Sequence, residues 1–92
     1  MVIENLYLKA EIIKVIGHPE RLRILRLLLD GERCVKDICN ELNLPQPKVS
    51  QHIGIMKEVR IITYRKEGTK AIYRLNNNLA TSILKAVFKE DL

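Results

Sequence analysis

Apolar positions recur at helical spacing over most of this chain and switch once to strict alternation. From residue 3 to 16, Leu6, Ala10, Ile13 and Val15/Ile16 fall on one helical stripe, which Leu8 and Ile12 widen. Gly17 stops that helix, and His18-Pro19 opens the next, with Pro19 suited to a first helical turn. Residues 19–30 turn Leu22, Leu25, Leu28 and Leu29 inward and Arg21, Arg23 and Arg26 outward, until Asp30-Gly31 closes the segment. A third helix, about 35–42, buries Val35, Ile38, Cys39 and Leu42.

Asn43-Leu44-Pro45 then breaks the pattern, and a fourth helix runs over 46–58. Pro45 and Pro47 are tolerable there because the first turn of a helix has amides without intrahelical acceptors. Val49, Ile53 and Met56, at i, i+4 and i+7, fix its inner face. Gln46, Lys48, Ser50, Gln51 and His52 are left as candidates for the outer face near its start. Two helices joined by so tight a break form a helix-turn-helix.

Residues 61–75 alternate instead, as a hairpin does. A Gly68-Thr69 turn sets Tyr64 against Tyr73 and Ile62 against Leu75, and places Glu67 beside Lys70. Asn76-Asn77-Asn78 breaks the strand and caps a last helix over 79–90, where Leu79, Ile83, Leu84, Ala86, Val87 and Phe88 are apolar. The whole predicts a mainly α domain with a small β-hairpin, residues 1–92: a winged helix-turn-helix of five helices and a two-stranded wing. Its first and last helices carry more apolar surface than one small core can cover, which predicts a homodimer packed through both ends.

Composition narrows the partner. Sixteen lysines and arginines against 11 acidic residues give a formal charge of +5. That balance favours an anionic partner, although small proteins are often mildly basic without one. The stronger signal is local: Arg65, Lys66, Lys70 and Arg74 gather in the hairpin, directly behind the helix-turn-helix. No apolar run approaches the roughly 20 residues that span a bilayer. Glu4, Lys9 and Glu11 interrupt the opening segment, so it does not read as a secretory leader. Two cysteines without a leader suit a reducing, cytoplasmic setting.

A helix presenting polar side chains at its start, beside a basic hairpin, matches the way a winged helix holds duplex DNA. Gln51 is the candidate base reader, because a carboxamide pairs bidentately with adenine. Gln46, Lys48 and Ser50 could reach bases or phosphates, and His52 could donate to a phosphate, although exposed polar residues also simply solvate a helix. The hairpin basics would meet phosphates or the minor groove. The plain alternative is that Lys and Arg guard an edge strand from aggregation.

Cys34 and Cys39 are candidate thiol sensors, with Arg33 and Lys36 near Cys34 as activating cations. Five residues apart on one helix they would diverge by about 140°, which suits no disulfide. Two thiols do not close a tetrahedral metal site unless His18 or a second copy joins them, and a buried Cys39 acting as a small hydrophobe is the simpler reading. No metal site and no cofactor is expected. Neither a glycine-rich phosphate loop nor a nucleophile elbow is present, so an enzyme is not expected.

Several segments, IGHPERLRIL (16–25), ERCVKDI (32–38), LPQPKVSQHI (44–53) and AIYRL (71–75), resemble the arsenic-repressor (ArsR/SmtB) family of winged-helix regulators. The resemblance covers nearly the whole chain. It implies a dimeric repressor that binds an operator and releases it when an effector binds; which effector is left open. Metal-responsive members often carry a Cys-Val-Cys run where this chain reads Cys34-Val35-Lys36, and others use histidines on a last helix that here has none. Pro45 stands where the family usually has a capping serine, a loss of about 1 kcal/mol if nothing replaces that oxygen. Two other functions fit the same fold: a protein–protein docking module, or a non-specific nucleoid binder.

Overall fold

A computed structural model describes residues 5–91. In chain order it contains α1 (Asn5–Ile16), α2 (Pro19–Asp30), α3 (Val35–Leu42), α4 (Gln46–Glu58), β1 (Ile62–Glu67), β2 (Lys70–Leu75) and α5 (Asn78–Val87), with a 3-10 turn at Lys89–Asp91. The expected start of the first helix, at residues 3 and 4, lies outside the described residues.

The core joins all five helices to the root of the hairpin. Ile24, Leu25 and Leu28 of α2 meet Ile38 of α3, Val49, Ile53 and Met56 of α4, Ile61 and Ile62, and Ala80 and Leu84 of α5. Burying one such side chain contributes about 1.5–3 kcal/mol, whereas an exposed ion pair contributes about 0–1. Apolar packing, with Ile38 and Met56 both fully buried, therefore sets how α4 sits on α3.

The starts of α2, α4 and α5 are each made differently. The ring Nδ1 of His18 accepts the Glu20 amide at 3.1 Å and caps α2, with Pro19 as its first residue. Asn77 caps α5 by accepting the Ala80 amide at 2.9 Å. At α4 the N-cap is Pro45, with no side-chain cap, yet its carbonyl accepts both Lys48 N–H and Val49 N–H. Pro47 has no amide proton to satisfy, which leaves Gln46 as the one first-turn amide open to water or a ligand. The missing cap is thus largely offset by the second proline.

The hairpin register pairs Ile62 with Leu75, Tyr64 with Tyr73 and Glu67 with Lys70, as the sequence predicts. Gly68 supplies the positive φ that a glycine-first turn needs. One pairing has no counterpart among the expectations: Arg33, ahead of α3, forms an antiparallel bridge with Tyr73. Its N–H donates to the Tyr73 carbonyl at 3.1 Å and its carbonyl accepts the Tyr73 amide at 2.8 Å. A single residue between a charged pair and a helix shows no alternation, so no pattern announces it.

Three expectations change. In α1 the core takes Ile12, Val15 and Ile16, while Leu6 and Ile13 of the predicted stripe are about half exposed (52% and 55%). In α2 Ile24 is buried, and Leu22 and Leu29 are only half-buried. The α2 arginines are not free on the surface: Arg21 reaches the Val15 carbonyl, Arg23 the Leu42 carbonyl, and Arg26 Asp30 and the Asp91 carbonyl. A long guanidinium can span to a neighbouring element's carbonyls, which residue spacing does not reveal.

Candidate nucleic-acid interface

The inner face of α4 is Val49, Ile53 and Met56, all buried, so its opposite face is available. Gln46, Lys48 and Gln51 are exposed there and Ser50 is half-buried. The Gln46 amide donates to the Ser50 hydroxyl at 2.7 Å, which ties the first two turns together. The Gln51 side chain makes no hydrogen bond to any described residue and is free to face a ligand. Gly54, one turn further on, has open space where a Cβ would stand, so nothing rises above the helix backbone beside Ser50 and Gln51. Periodicity did not single it out; a glycine inside an amphipathic helix is the signal that could have found it.

His52 does not belong to this surface. It is buried, 6% exposed, with Nε2–H donating to Glu20 Oε1 at 3.0 Å and Nδ1 facing the Arg21 guanidinium at 3.4 Å. The His18 ring lies 4.8 Å from it. The reason is rotation: residue 52 is next to the buried Ile53 and only three from Val49, so it sits at the edge of the inner face. His52 is therefore corrected from a candidate DNA contact to a link between α2 and α4.

Glu20 is the centre of that link. Its second oxygen pairs with Lys48 Nζ at 3.1 Å, and the hydrogen bonds from His52 and Lys48 hold its carboxyl below the usual carboxylate range. His18, Glu20 and His52 bring donor atoms within 4.8 Å of one another, the one group among the described residues that could hold a metal ion. Their hydrogen bonds oppose it. Both Nδ1 atoms face N–H donors, so both Nε2 atoms carry the proton, whereas a metal-binding histidine needs an acceptor behind it. Lys48 and Arg21 add two positive charges at the same spot.

On the wing, alternation places Thr63, Arg65, Glu67, Lys70, Ile72 and Arg74 on one face and Tyr64, Lys66, Ala71 and Tyr73 on the other. Arg65 and Arg74 thus share a face. Arg65 is doubly paired, to Glu67 at 2.6 Å and Glu32 at 2.9 Å, which raises its pKa and lowers that of Glu67. Lys66, Lys70 and Arg74 are exposed, and Lys66 lies near the tip. Lys57 of α4 sits 5.3 Å from the Tyr64 ring, a cation–π contact that braces the second face against the helix.

Cys34 and Cys39 are free thiols, the first buried and the second half-buried. Cys34 is the N-cap of α3, and its proximity holds the Asp37 carboxyl below its ordinary value. The expected cationic setting is only partly present. Arg33 turns to Glu41 at 2.7 Å, and the charge touching the thiol is the Asp37 carboxylate. Lys36 and Lys70 line an adjoining cleft of about 180 Å³, smaller than a drug-sized ligand requires. His18 groups with Glu20 and His52, not with the cysteines.

A helix-turn-helix whose second helix exposes its first turns, with a basic hairpin behind it, defines a winged helix-turn-helix regulator. The chain belongs to the arsR family of bacterial regulatory proteins, whose pattern residues 18–64 match. It is 44% identical over 79 residues to the uncharacterized HTH-type transcriptional regulator MJ1325 of Methanocaldococcus jannaschii, covering 85% of this chain and 89% of that one. It is 35% identical to the HTH-type transcriptional repressor SmtB of Mycobacterium tuberculosis over 85% of this chain, but spans only 58% of SmtB. The homodimeric winged helix-turn-helix DNA-binding domain Mb0332 of Mycobacterium bovis superposes with a TM-score of 0.85 at 26% identity, covering 96% of this chain and 82% of that one. The family consists of DNA-binding transcriptional regulators, not enzymes. No helix among the described residues is long and apolar enough to cross a membrane.

Proposed function

We propose that the chain is a homodimeric, cytoplasmic repressor that reads an inverted-repeat operator with α4 and grips the flanking backbone with its wing. The observation that carries this reading is the outer face of α4: Gln51 unpartnered, Gln46 and Lys48 exposed, and Gly54 leaving room for a close approach. Gln51 reads a base edge, with Ser50 and Gln46 beside it. Lys66, Lys70 and Arg74 contact phosphates, with Arg65 joining them once it leaves its carboxylates.

The dimer forms through α1 and α5, where Leu6, Tyr7, Leu8, Ile13 and Val87 are all exposed. Uncovered, that much apolar surface would favour aggregation. The homodimeric Mb0332 domain and the SmtB repressor support the assembly and the direction of regulation. Release by an unidentified effector extends this reading, since such regulation is typical of the family.

Selection of bound duplexes from a random library tests the reading. A palindromic motif bound by a dimer is the expected result. A monomer that ignores every duplex at low ionic strength overturns it, and equal binding to all sequences replaces it with non-specific binding.

A further inference from the structure

Among the described residues, Glu20 is the one acidic side chain that pairs with side chains of α4, and both of its oxygens are used there. Oε1 accepts from the buried His52 and Oε2 pairs with the exposed Lys48. His52 needs only an acceptor, which a neutral amide oxygen would also provide. Lys48 needs the charge. The carboxylate therefore has a separable second effect: it neutralises a cation that stands on the exposed face of the reading helix.

We propose that Glu20 keeps Lys48 from contributing net charge to DNA binding. The inference rests on the DNA-binding reading above. A phosphate that approaches Lys48 meets an ammonium already paired with Glu20: it either shares that ammonium with the carboxylate, whose charge then offsets the contact, or displaces the carboxylate, which then takes up a cation from solution. Either way the counterion released from the DNA is offset at Glu20, so this lysine adds almost nothing to the salt dependence. Sequence-independent attraction is thereby reduced, while Gln51 keeps its contact with the base edge.

The experiment measures affinity against salt concentration, on operator and random duplexes, for the full chain and its variants. Glu20→Gln keeps an acceptor for His52 and removes the charge. It is expected to bind random duplex roughly two- to fivefold more tightly at low salt, the fold equivalent of an exposed ion pair. Its log–log slope should steepen by about 0.9, the value for one added phosphate contact. In a Lys48→Met background the same change should leave the slope where it was. Lys48→Met alone should flatten the slope by well under half of what Lys66→Met does, a comparison that does not depend on how Glu20→Gln folds.

An unchanged slope in Glu20→Gln overturns the proposal, as does steepening that persists without Lys48, or equal flattening by Lys48→Met and Lys66→Met. If the unaltered protein binds no duplex, the DNA-binding reading itself fails; if it binds and the variants behave alike, only the role of Glu20 fails.

Discussion

The backbone N–H of Ile61 donates to the carbonyl of Met56 across 3.0 Å, and both side chains are fully buried. Between them Arg60 donates to the Lys57 carbonyl at 3.0 Å with φ 63. This is a Schellman closure of the reading helix, whose left-handed position is usually glycine. An arginine there bears a steric penalty that glycine lacks. Arg60→Gly should stabilise the protein by about 0.5–1 kcal/mol after the glycine's greater unfolded-state entropy is counted. Urea denaturation checks it, and a lower midpoint would show that the Arg60 side chain contributes more than its backbone costs.

Lys66→Ala combined with Lys70→Ala should weaken binding to every duplex by a similar factor and flatten the salt slope by about 2, roughly 1 for each phosphate left without its lysine. Titrations at several salt concentrations measure this. A slope that does not move would remove the wing from DNA binding.

Gln51→Ala should act on sequence and not on charge. Preference at a single base pair of each half-site should relax by about 1–3 kcal/mol, with the salt slope unchanged. Competition among single-base operator variants reads it out. An equal loss on operator and random duplex would place Gln51 outside base recognition.

Acid should destabilise the fold through carboxylates whose pKa values are lowered in the folded state. Glu20 is held down by His52 and Lys48, Asp37 by Cys34, and Glu67 by Arg65. A depressed carboxylate adds stability above its unfolded value and loses it as pH falls through the folded one. Denaturation midpoints should therefore decline below pH 4.5, the ordinary glutamate value, and less steeply in Glu20→Gln. A midpoint flat from neutral pH into that range would show that these bonds do not survive in solution.

Most of the fold was legible because it is local. Val49, Ile53 and Met56 declare the inner face of α4 by spacing alone, and Gly68 with the two tyrosines fixes the hairpin register. The exposed outer face of α4 follows from the same periodicity. What spacing could not supply was which side chain reaches across elements. His52 lies at a boundary of its helix, where 3.6-residue geometry permits either burial or exposure, and only Glu20 and Arg21 from α2 decide it. The α1 stripe misled for a related reason. Its apolar residues point in two directions, and the sequence does not say which set the single-chain core will take.

The corner between α1 and α2 contains only Gly17 and His18, and it is fastened to the reading helix. Arg21 bonds Val15 behind it and His52 ahead, while His18 lies against the same ring. Two subunits joined at α1 would consequently hold their α4 helices at a set pitch and separation, like the fixed teeth of a gauge. Adding one base pair between half-sites turns them by about 35° relative to each other. With no slack chain to absorb that angle, a one-base-pair insertion should cost one of the two subunits its footing.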